Sequence, residues 1–150
     1  MNTERLTSNE KSLPPFVFPN IEAERGEIER VAREFAEEDP TAFTIRFIEK
    51  AKESKLIPLS DEMWNSLENT DSLDIKTADW GRVDHRAVAG HPEAARDWQN
   101  LKQRIESGAQ LDAPIICAKN GRLHLVSGNT RLMVMRALGQ TPHILLVDVN

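Results

Sequence analysis

Ser127, Gly128, Asn129, Thr130 and Arg131 are the residues best placed by type and spacing to do chemistry. They stand between an alternating stretch, Arg122 to Val126, and a run with helical spacing at Leu132, Met135 and Leu138. Glycine permits a sharp turn and a close approach of ligand to backbone. A helix that begins here offers amide groups without intrahelical partners, at the positive end of its dipole. Such an end binds phosphate, and a first-turn arginine adds a planar fork for phosphate oxygens. The same residues also make an ordinary strand-to-helix turn, with glycine for the bend and Asn129 or Thr130 as the cap.

A second concentration is Trp80 to Pro92, which holds Asp84, His85, Arg86 and His91. Histidine beside a carboxylate is an acid or base near neutral pH, so Asp84 and His85 are the catalytic candidates. The plain alternative is a loop ahead of a helix. Four scattered histidines and one cysteine make no zinc pattern. Glu68, Asp71 and the residues around them are carboxylate-rich, as a divalent cation requires, but lack calcium-loop spacing and read as a polar turn.

The elements that would position these residues follow from periodicity. Residues 1–19 form an extended arm, because LPPFVFP is too proline-rich for a central strand. Ile21, Ile28, Val31, Ala32 and Phe35 predict a helix over 20–38. Asp39-Pro40 caps and starts a second helix with Phe43, Phe47, Ile48 and Ala51 inside, which together suggests a helical hairpin. Leu56 to Leu59 reads as a connector, and Ser60 as the cap of a short helix containing Trp64. Pro92 opens a helix through Trp98, Leu101 and Ile105. Ile115 to Ala118 reads as a buried strand, Asn120-Gly121 as a hairpin turn, and Ile144 to Val147 as a last strand of the same sheet.

The stretch Ala113 to Val149 resembles the nucleotide-binding core of the ParB/sulfiredoxin-like superfamily. The resemblance rests on order: a proline-led apolar strand, a hairpin, a strand ending in G-x-x-R (Gly128 to Arg131), a helix, and a strand after a proline. It implies an α/β fold with a small mixed sheet at the C-terminal end and several preceding helices. It also implies a phosphate-holding loop at Ser127–Arg131, a nucleoside triphosphate as ligand and Mg²⁺ as its companion. Superfamily activities include nucleotide binding, hydrolysis, phosphotransfer and nuclease action. A reactive cysteine inside the loop is missing, since the single cysteine is Cys117. The chain ends at Asn150, so a following DNA-binding region is not expected.

Composition sets the remaining bounds. Hydrophobic residues are 39% and charged residues 29% of 150 positions, consistent with one domain over 20–150 and a well-solvated surface. A single cysteine excludes an internal disulfide framework, and the absence of a long apolar run predicts no membrane partner and a cytoplasmic location. Residues 1–80 carry 10 Lys+Arg against 18 Asp+Glu, a balance of −8, and residues 81–150 a balance of +3. The phosphate-binding part, 81–150, is therefore the basic one. The acidic helical part, 20–80, is a candidate surface for a protein partner. The overall charge of −5 does not favour nucleic acid. Two classes follow: a metal-dependent phosphate-handling enzyme, or a non-catalytic accessory module of the kind found in phages, retaining the fold.

Overall fold

Asn120 and Gly121 both take positive φ, 53° and 78°, the geometry that lets a two-residue turn match the twist of paired strands. They join β5 (Ile115–Lys119) to β6 (Arg122–Ser127) in antiparallel register, Lys119 opposite Arg122. This hairpin is the centre of the computed structural model, which describes residues 16–35, 38–88 and 97–150. β7 (His143–Asp148) lies parallel to β5 on its other side, with Ile115 opposite Leu145. The expected C-terminal sheet is therefore present.

Two segments of the acidic half complete it. Leu56–Pro58, read from the sequence as a connector, is a strand (β2) antiparallel to β7. Leu67–Glu68 (β3) lies parallel to β6. The order is β2-β7-β5-β6-β3, a mixed five-stranded sheet. The sheet is thus not confined to the last quarter of the chain. Pro58 has no amide to donate, so its place on an edge strand follows. Phe16–Val17 (β1) and Leu111–Asp112 (β4) form a separate parallel pair, which docks the end of the arm with Phe16 buried.

Strand alternation divides the core into two. Ile115, Cys117, Val126, Leu145 and Val147 face a hairpin of α1 (Arg25–Phe35) and α2 (Pro40–Glu53). Ile28, Val31, Ala32, Phe43, Phe47 and Ala51 cover that face, all fully buried. Each aromatic or branched side chain removed from water here contributes about 1.5–3 kcal/mol before entropy is counted. The Asp39 carboxylate accepts from Ala42 N at 2.9 Å, which makes Asp39-Pro40 the helix start expected. Ile116, Leu125 and Ile144 face the other way, towards α3 (Asp61–Asn65), α4 (Trp80–Val88), α5 (Asp97–Glu106) and α6 (Asn129–Leu138).

α6 is the most enclosed helix, with Leu132, Met133, Val134, Met135 and Ala137 buried. Its amphipathic stripe is wide because the sheet lies on one side and α4 and α5 on another. Gly139, at φ 71°, ends it where the sequence predicts. The segment holding Asp84 and His85, read as a loop, is helix α4 instead. His91, Pro92 and Ala94 lie outside the described residues, as does the start of the helix predicted from Pro92. No helix among the described residues is long and apolar enough to cross a membrane.

Candidate functional site

β6 runs into α6 through one residue, Gly128, held at φ 107° and ψ 20°. A Cβ there would stand 2.6 Å from Pro114 Cβ and 2.8 Å from Pro114 Cα. Glycine is required twice over, by backbone angle and by the proline packed behind it. Leu132 N already donates to Gly128 O at 3.0 Å, so the amides that precede it have no partner within the helix.

A cleft of about 540 Å³ opens in front of this helix start. Ser127, Gly128, Asn129 and Arg131 line it, joined by Arg30 from α1 and by Asn69, Thr70 and Asp71 from the turn after β3. Thr130 does not line it. Ser127 Oγ and Arg131 Nε are shut off from solvent and meet no hydrogen-bond partner among the described residues. Two polar atoms left so at one wall are costly, about 1–3 kcal/mol each. Burial pulls the Arg131 guanidinium below its ordinary pKa, against the fields of Glu24 and Asp112 that favour its charge. Arginine stays protonated regardless.

The Asn129 side chain does something other than face a ligand. Its Oδ1 accepts from Thr70 Oγ1 at 2.9 Å and from Asp71 N at 2.8 Å, and its Nδ2 donates to Asp71 Oδ2 at 3.0 Å. It is the clamp that holds the turn after β3 against the helix start. The turn itself bends at Asn69, φ 65°, whose Nδ2 donates to Leu125 O at 3.2 Å.

The clamp continues inward. Thr70 has one hydroxyl proton, given to Asn129, so the 2.8 Å contact between Thr70 and Ser72 has the Ser72 hydroxyl as donor. Ser72 Oγ in turn accepts from Trp64 Nε1 at 2.9 Å. The result is a one-way series of hydrogen bonds, Trp64 to Ser72 to Thr70 to Asn129, that fixes one wall of the cleft.

Arg30 is part of the lining as well. It donates to Val126 O at 3.2 Å and pairs with Glu27 and Glu34 at 2.8 Å and 3.1 Å. Two arginines and the carboxylates of Glu24, Glu27 and Asp71 therefore line one cleft, a formal balance of −1. Among the described residues no group of three or more His, Cys, Asp or Glu is placed to hold a metal ion.

Asp84 and His85 do not join this site. Asp84 Oδ1 accepts from Trp98 Nε1 at 2.9 Å, a bond that ties α4 to α5. His85 is exposed in the last turn of α4. Neither lines the cleft. Pro114, Arg30 and the residues Asn69 to Asp71 are the parts that sequence reasoning missed as site elements, although the carboxylates near Asp71 had drawn notice. No protein-family model, curated protein or solved structure matches the chain.

Proposed function

We propose that the cleft at Ser127–Arg131 binds a phosphoryl group, as carried by a nucleotide, and that the chain contains a ParB-like domain. The observation that carries this is the convergence at one turn of three features. They are the left-handed Gly128 backed by Pro114, the open amides of a ten-residue helix, and the Arg131 guanidinium beside them. Each favours an anion, and together they form a fork-and-nest arrangement suited to tetrahedral oxyanions. The order of strand, hairpin, glycine turn, helix and strand supports the resemblance.

The cleft's own charge supports one form of the ligand. With a balance of −1 it opposes a bare polyanion. A nucleotide that brings Mg²⁺ presents less negative charge to Glu24, Glu27 and Asp71, so the ligand is a metal-complexed phosphate. The separation of Asp84 and His85 from the cleft favours binding without those two residues as the machinery of turnover.

Titration calorimetry tests this, with inorganic phosphate, ATP, CTP, GTP and a short DNA, each with and without Mg²⁺. We expect saturable binding of a nucleotide, tighter with Mg²⁺, and a loss of at least about tenfold in Arg131→Ala, or roughly 1.4 kcal/mol. Circular dichroism confirms that the variant is folded. Binding no tighter than millimolar for every ligand, or an Arg131→Ala variant that binds as wild type does, overturns the proposal.

A further inference from the structure

The cleft in front of α6, about 540 Å³, is larger than one phosphate group needs and has the size of a site for a whole small molecule, roughly 300–1,000 Å³. Its walls limit what fills the remainder. The chain has five phenylalanines, three tryptophans and no tyrosine. None of the described rings lines the cleft. Leu125 and Val126 are the large apolar residues of the lining, and both are buried, Leu125 in one core and Val126 in the other. Among the described residues the cleft therefore gives a flat base no aromatic ring to stack on.

What the lining does present is acceptors beside the anion site. Glu27 is already paired with Arg30 at 2.8 Å. Asp71 gives Oδ2 to Asn129, the first residue of α6, while its Oδ1 has no hydrogen-bond partner among the described residues. The Glu24 carboxylate likewise has none, and its field reaches Arg131, in the first turn of the same helix. Asp71 is exposed and Glu24 is half-buried, so a ligand in the cleft meets both.

An ionised carboxylate accepts hydrogen bonds and cannot donate them. It answers a hydroxyl and repels another acceptor. Purine and pyrimidine edges mix acceptors with donors. Each hydroxyl of a sugar has a proton to give.

We infer, on the phosphate reading of this cleft, that the rest of the ligand is a sugar: a ribosyl phosphate or similar sugar phosphate whose hydroxyls donate to Glu24 and Asp71, with any base left in solvent. Nucleotides and free sugar phosphates share this chemistry. The protein then takes its nucleotide without regard to the base.

Calorimetry on the full chain with Mg²⁺ tests it, using methyl phosphate, ribose 5-phosphate, ATP, CTP, GTP and 2′,3′-dideoxy-ATP. We expect ribose 5-phosphate to bind at least about tenfold more tightly than methyl phosphate, and dideoxy-ATP at least about tenfold less tightly than ATP. ATP, CTP and GTP should agree within about threefold. Glu24→Ala should shrink the advantage of ribose 5-phosphate and, with one negative charge fewer, bind methyl phosphate more tightly. A merely damaged fold weakens both ligands. If Glu24→Ala does not fold, the comparison of ATP with dideoxy-ATP on the wild type decides. ATP binding well above ribose 5-phosphate assigns the site to nucleotides, and equal binding assigns it to free sugar phosphates. A spread of about tenfold among ATP, CTP and GTP, or dideoxy-ATP binding as ATP does, overturns this inference and leaves the phosphate reading standing. No saturation by any of the six below about 10 mM removes both.

Discussion

Asn129 Oδ1 accepts a hydrogen bond from Asp71 N at 2.8 Å across a separation of 58 residues. With the return bond from Asn129 Nδ2 to Asp71 Oδ2 at 3.0 Å, the two residues close a paired contact between the turn after β3 and the start of α6. The carboxylate is the acceptor of one bond and the amide group supplies both roles. Asn129→Asp keeps the acceptor, loses the donor and sets two carboxylates against each other. We expect it to destabilise the protein at pH 7 by about 1–3 kcal/mol, from the lost bond and the like-charge contact. Urea unfolding at pH 7, for wild type and variant, measures this. A change within about 0.5 kcal/mol would show that the pairing is not what holds the turn.

Ser72 is fully buried and stands between Trp64 and Thr70. Ser72→Ala leaves the Trp64 N–H without its acceptor in the core. The expected cost is about 1–3 kcal/mol, the range for orphaning a buried donor. A smaller change, within about 0.5 kcal/mol by chemical denaturation, would mean that the series of bonds from Trp64 to Asn129 is not cooperative. The serine sits in a stretch that reads in sequence only as a polar turn.

Gly128→Ala isolates the turn. Its left-handed φ disfavours any Cβ, and the Pro114 ring occupies the space a Cβ would need. Strain of about 1–3 kcal/mol from the backbone alone is expected, with the Pro114 contact adding to it. Pro114→Ala does not remove the clash, since the Pro114 Cα lies at 2.8 Å and its Cβ at 2.6 Å, so the double variant should recover little. Thermal unfolding of the single and double variants checks both statements, and near-full recovery in the double would refute the second.

What could be read from the chain was what is local. Asp39-Pro40, Ser60, Asn120-Gly121 and Gly139 each announce a turn or cap through their own chemistry, and each does what its type suggests. Leu56–Pro58 was hidden because three residues ending in a proline carry no period, and only β7 makes them a strand. The clamp on Asn129 was hidden because its partners are distant in sequence and polar, with no pattern to mark them. Helix α4 did leave a signal: Asp79 Oδ1 accepts from Arg82 N at 3.2 Å, and Trp80, Val83 and Ala87 stand at helical spacing behind it.

His124 gives the clearest pH dependence. It is buried on β6, with its Nδ1 3.6 Å from Glu68 Oε1 and with Arg30 and Glu34 near enough to influence it. Burial is the largest effect and lowers its pKa below the usual histidine value, against the field of Glu68 that raises it. The folded state therefore holds the proton less well than the unfolded state. Stability from the neutral ring is fully present above the unfolded pKa, about 6.5, and is lost as pH falls from there towards the folded value. Glu68 adds nothing in that window, since the Arg122 guanidinium holds its carboxyl below the usual range and it stays ionised. Urea unfolding of wild type between pH 8 and pH 5.5 should show stability falling below pH 6.5. In His124→Gln the slope should flatten, because glutamine takes up no proton. An equal slope in both proteins would assign the acid sensitivity to another group.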